Sequence, residues 1–173
     1  MNTKIKPAPE AVANEFLTGV NLRSCLSFID FLNSEKYPPR WIAKNAWEVK
    51  PNRFKILGQL KSQILRRLRI NPDEKNWSVS FHYNPEYNEL ITDEEMQKFI
   101  TANIRNKRNA CHGEDCGAYI DLNVFGKIYN EMCCNEQIQI TNPSGKEVEY
   151  IKELFLLTKE ITERATLTAK DIC

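Results

Sequence analysis

The sequence predicts an α+β fold, a mainly antiparallel sheet of about four to five strands with helices from the N-terminus, the middle and the C-terminus packed on one face. Three observations predict it. Helical periodicity dominates both ends of the chain. Trp77 to Tyr83 alternates large apolar with small polar side chains, the mark of a half-buried strand. The elements then run helices, strands, helix, strands, helix, which is not the alternating order of a parallel sheet.

Pro9 to Thr18 is expected to form a short helix, with proline in its first turn and Val12, Phe16 and Leu17 on one side, ended by Gly19. A second helix is expected from Leu22 to Asn33, because Leu22, Cys25, Leu26, Ile29 and Leu32 recur at helical spacing. Pro38-Pro39 stops it. Trp41 to Lys50 reads as extended, and Pro51-Asn52 as a turn. Phe54 to Ile70 fits either a helix with a leucine stripe or a strand. The turn-rich Asn71–Asn76 that follows favours a hairpin pairing Gln63–Ile70 with Trp77–Tyr83. Thr92 and Glu95 match a capping box opening a helix to about Asn106. Ile120 to Val124 alternates as a strand, Phe125 to Cys133 reads as helical, and Gln137 to Thr141 as a strand. Ser144 and Glu147 repeat the capping box before a last helix to about Arg164.

The 173 residues are expected to form one domain, with 1–7 as a loose arm and 165–173 as a frayed end. The chain opens without an apolar leader, and no apolar run approaches the ~18 residues needed to span a bilayer. A cytoplasmic location with reduced cysteines and no membrane partner is therefore expected.

A formal charge of +1 hides an uneven distribution. Lys36 to Lys75 carries eleven basic residues against three acids, a net +8, and Asn76 to Ile100 carries five acids against Lys98. All three tryptophans lie in or just beyond the basic segment. Basic groups with aromatic rings can hold single-stranded nucleic acid, but the alternation of Trp77–Tyr83 puts its large rings on one face, as core. The opposite face then shows Ser78, Ser80 and His82, joined by Arg67 and Arg69 if the hairpin pairs as drawn. These five are the candidate ligand-binding residues for a small anionic molecule or an acidic protein. The simpler reading of the same charges is a solvated rim.

A second cluster joins Cys111, His112, Cys116 and Cys133, with Cys134 adjacent. Thiolate and imidazole are zinc ligands, and four of them would close a tetrahedral site. The spacing is irregular for that purpose, so no cofactor is the first expectation and zinc the alternative. Ordinary cysteines and a reactive thiol are the other readings. Phosphate-binding glycine loops, dinucleotide fingerprints, paired-histidine zinc motifs and nucleophile elbows are absent from the sequence, which favours a binding domain over an enzyme.

Several short segments carry a resemblance: Pro7 to Glu10, Phe16-Leu17, Phe31-Leu32 before Tyr37, Trp47-Glu48-Val49-Lys50, Trp77 to Phe81, Asp93–Arg105 before a cysteine-containing loop, Val124-Phe125-Gly126-Lys127 with Cys133, and Asn142-Pro143. Together they resemble families of small bacterial cytosolic proteins of unknown function. The resemblance implies a soluble α+β domain and transfers no catalytic residue. Those families carry a closer Cys-x-x-Cys pair, from which Cys111-x4-Cys116 departs.

The functional expectation is thus a non-enzymatic domain that binds a small anionic ligand or acidic partner on a positively charged sheet face. The alternative is a metal- or thiol-dependent protein centred on Cys111–Cys134, and single-stranded nucleic-acid binding is third.

Overall fold

The computed structural model describes residues 6–49, 65–105, 119–133 and 137–170. The segment 50–64, Cys111, His112, Cys116 and Cys134 lie outside the described residues. The elements run α1 (Pro9–Phe16), α2 (Gly19–Ser34), β1 (Arg40–Ala43), β2 (Ala46–Val49), β3 (Leu65–Asn71), β4 (Asn76–Phe81), α3 (Tyr87–Leu90), α4 (Glu94–Ala102), β5 (Tyr119–Val124), β6 (Lys127–Cys133), β7 (Ile138–Thr141) and α5 (Lys146–Lys170). The fold is α+β. One antiparallel sheet has the order β1-β2-β3-β4-β7, and β5 with β6 forms a separate two-stranded sheet. The chain divides into two compact units, Met1–Val79 with Thr141–Cys173, and Ser80–Ile140.

In the first unit, α1 packs on α2 and on β3, and α2 packs on α5. The helix-facing side of the strands is apolar because their residues alternate. Leu68 and Ile70 of β3 and Trp77 and Val79 of β4 are buried, and Trp47 of β2 stands directly opposite Leu68. Phe28 of α2 lies 6.1 Å from Trp77, ring to ring. The chain just before α1 closes this side, where the Trp47 indole Nε1 donates to the carbonyl of Pro7 at 3.1 Å. Phe155 of α5 meets Phe31 edge-on at 5.5 Å and Tyr37 at 5.6 Å. Lys159 adds an ion pair to Glu35 at 2.8 Å, and the Tyr37 hydroxyl donates to Glu163 at 3.2 Å. Cys25 is fully buried inside α2. Burial, helped by the charge of Glu10, pushes its thiol up to about 12, so it is an inert part of the core.

Helix α2 ends in a Schellman motif. The Tyr37 amide donates to Leu32 and the Lys36 amide to Asn33, with Lys36 left-handed at φ 64°. A left-handed residue with a Cβ costs roughly 1–2 kcal/mol, which glycine avoids. Lys36→Gly is therefore expected to raise the melting temperature by roughly 2–4 °C in thermal unfolding, for a gain near 1 kcal/mol.

Several expectations shift by local chemistry. Gly19 does not end the first helix but starts α2, at φ 58°. In place of one extended run over Trp41–Lys50, the described part forms a hairpin of β1 and β2, because Asn45 turns at φ 55°. The cap of α4 is Asp93 instead of Thr92, its carboxylate accepting the Glu95 amide at 2.8 Å. Within Phe125–Cys133, the expected helix is instead a turn followed by strand β6. Phe125 and Gly126 both have positive φ and make the two-residue turn joining β5 to β6.

Candidate anion-binding face

The same alternation that buries Leu68 and Ile70 turns Arg67 and Arg69 to the other side of β3, away from α1 and α2. Ser78 does the same between buried Trp77 and Val79. Arg69 is exposed, and Arg67 and Ser78 are half-buried. Directly opposite Arg69 on β2 is Ala46, which is buried. Two residues on is half-buried Glu48, which stands opposite exposed Arg40 of β1. This outer side thus gathers Arg40, Arg67 and Arg69 with one carboxylate and one hydroxyl. Arg40 and Glu48 escaped the sequence reading because the alternation of Trp41–Lys50 is broken by the turn at Lys44-Asn45.

Ser80 and His82 continue along the chain but belong to the second unit. Ser80 is 4% exposed, and its hydroxyl has no hydrogen-bond partner among the described residues. His82 is half-buried. Of the cysteine cluster, Cys133 is the last residue of β6, with its backbone opposite Tyr119. Among the described residues, no group of three or more His, Cys, Asp or Glu could hold a metal ion.

The second unit has its own polar centre, which sequence periodicity could not signal. The side-chain oxygen of Asn88 accepts from the Tyr83 hydroxyl at 2.8 Å and from the Phe125 amide at 2.6 Å. Its amide nitrogen donates to the Asn123 carbonyl at 3.0 Å. Burial pushes the Tyr83 hydroxyl up to about 12, so it stays a protonated donor. The Tyr83 ring sits edge-on to Tyr87 at 5.4 Å and to Phe125 at 6.2 Å. Every polar atom of the Asn88 side chain is engaged in tying α3 to the β5–β6 hairpin, which is a structural role.

No helix of the described residues is long and apolar enough to cross a membrane. No family model, curated protein or solved structure matches the chain.

Proposed function

We propose that the protein is a non-enzymatic binding domain that takes a small anionic ligand or acidic partner through Arg67, Arg69 and Ser78. The observation that carries this reading is Arg69. It is an exposed guanidinium held by a strand whose neighbouring residues, Leu68 and Ile70, are locked in the core. Arginine presents a rigid fork of donors that matches carboxylate and phosphate oxygens, and a strand fixes where that fork begins. Ser78 supplies a hydroxyl that can donate or accept.

The test is a titration of the protein with inorganic phosphate, citrate, polyglutamate and oligothymidylate, repeated with the Arg67→Glu/Arg69→Glu variant. At least one anion should bind. The charge reversal should weaken that binding by roughly tenfold or more, about 1.4 kcal/mol, with circular dichroism checking that the variant folds. The affinity should fall as salt rises, because exposed charges are screened. An affinity that the double reversal leaves unaltered would sink the proposal.

A further inference from the structure

Among the described residues, the β5–β6 hairpin of the second unit has one edge engaged and the other open. Val124 and Lys127 close its two-residue turn, and Leu122 stands opposite Tyr129. Pairs in these positions exchange their backbone hydrogen bonds with each other. The pair between them, Asn123 and Ile128, therefore points its amides and carbonyls outward, toward opposite edges. On the β5 edge the Asn123 carbonyl accepts from the Asn88 side-chain amide at 3.0 Å. Ile128 is the counterpart of Asn123 on the β6 edge.

Exposure marks that edge as open. A strand alongside it would stand about 4.8 Å away and wall in the Ile128 side chain. That side chain is 68% exposed, more than any other large apolar residue among those described. Lys127, Asn130 and Glu131 are exposed with it. The edge is also short. β6 bulges opposite Asp121, where Glu131 turns at φ 53° and its amide donates to the Asp121 carboxylate at 2.9 Å. The regular edge thus runs from Lys127 to Asn130, with a lysine at one end and a glutamate just past the other.

An open edge is a template for another strand, and a second copy of the same edge fits it. In an antiparallel pair about a twofold axis at Tyr129, Ile128 of each copy meets Asn130 of the other. Ile128 and Asn130 are two residues apart on the strand, so their backbone groups point the same way and both pairs exchange hydrogen bonds. This register also brings Lys127 of each copy alongside Glu131 of the other. Lysine on an edge discourages casual pairing, and here the second copy supplies the carboxylate that offsets it. The Lys127 ammonium already lies back over its own strand, 4.9 Å from the Tyr129 ring.

From the open edge and its charge complementarity with itself, we infer that β6 is a homodimer interface, joining two hairpins into one four-stranded sheet through Ile128 and Asn130. A single strand edge is small against the roughly 1,200 Å² at which standard interfaces begin, so the dimer is weak and depends on concentration.

The test is sedimentation equilibrium of the full chain, its cysteines kept reduced, from about 10 μM to about 1 mM, a range that covers weak association. A monomer–dimer equilibrium is expected. Ile128→Pro removes the outward amide and spares the bonds to β5, since proline is tolerated where an edge amide faces solvent, and it should weaken the dimer by roughly tenfold or more. Lys127→Glu and Glu131→Lys should each weaken it by roughly fivefold, because an exposed pair is lost twice, and the double variant should restore it. Circular dichroism checks that each variant folds, and the charge variants decide the matter if proline perturbs the hairpin. A chain that stays monomeric to about 1 mM overturns the inference and leaves the edge to a strand of another protein. A dimer that neither Ile128→Pro nor the charge variants weaken overturns it as well.

Discussion

Replacing Trp77 by alanine is expected to destabilise the protein by about 3–5 kcal/mol, a loss to be read from urea or thermal unfolding. Trp77 is fully buried, and it joins two layers because its ring lies 6.1 Å from Phe28 of α2. Its backbone is also bound to Asn142, which directly follows β7. The Trp77 amide donates to the Asn142 side chain at 3.0 Å, and the Asn142 amide donates to the Trp77 carbonyl at 2.8 Å. Truncation leaves a cavity that this hydrogen-bonded strand cannot close by moving. Against a total stability of roughly 0.05–0.15 kcal/mol per residue, or roughly 9–26 kcal/mol for 173 residues, the variant still folds but with a much smaller margin. Trp77→Phe should cost much less. The indole Nε1 is buried without a partner among the described residues, so losing that donor removes an unfavourable group along with some volume. A phenylalanine variant as unstable as the alanine variant would contradict this account.

Asn88→Leu is expected to cost about 2–4 kcal/mol, with the damage confined to the second unit. Leucine has a similar volume but leaves the Tyr83 hydroxyl, the Phe125 amide and the Asn123 carbonyl without the partner each has now. Phe125 makes the loss worse. It sits at φ 48°, a conformation a bulky residue adopts only when its surroundings impose it. The Asn88 acceptor and the Tyr83 ring are what impose it. Amide hydrogen exchange should therefore accelerate in β5 and β6 while α2 and α5 keep their protection. Uniform acceleration through both units would show that Asn88 supports the whole molecule and not this hairpin.

These two positions also show what was legible in the chain. Trp77 announced itself, since strict alternation through Tyr83 can only be satisfied by a strand with one buried side. The long last helix was legible too, from a capping box in which the Glu147 carboxylate reaches back to the Ser144 amide at 3.1 Å. The hairpin with β3 was the preferred of two readings, because the leucines of Phe54–Ile70 fit a helix as well as a strand. Asn88 carried no such signal, because a polar hub is assembled from residues distant in sequence. The turn at Phe125-Gly126 was hidden for a related reason. Its left-handed phenylalanine is held by tertiary contacts, and local preference argued for other residues there. On the outer face, Ser78 follows from alternation alone, and Arg67 and Arg69 follow only once the hairpin is drawn. The inward turn of Trp47 and Trp41 does not, because it depends on a bend at Asn45 and on the Pro7 carbonyl.

The first compact unit is assembled from two stretches of chain separated by residues 80–140. On the ribosome, α2 therefore emerges long before α5, the helix that covers Phe31 and Tyr37. At about 5–20 residues per second, the intervening segment alone takes roughly 3–12 s to synthesise. For that interval the nascent chain exposes an aromatic helix face that it cannot yet cover. Its safety from aggregation during translation then depends on what holds that face in the meantime.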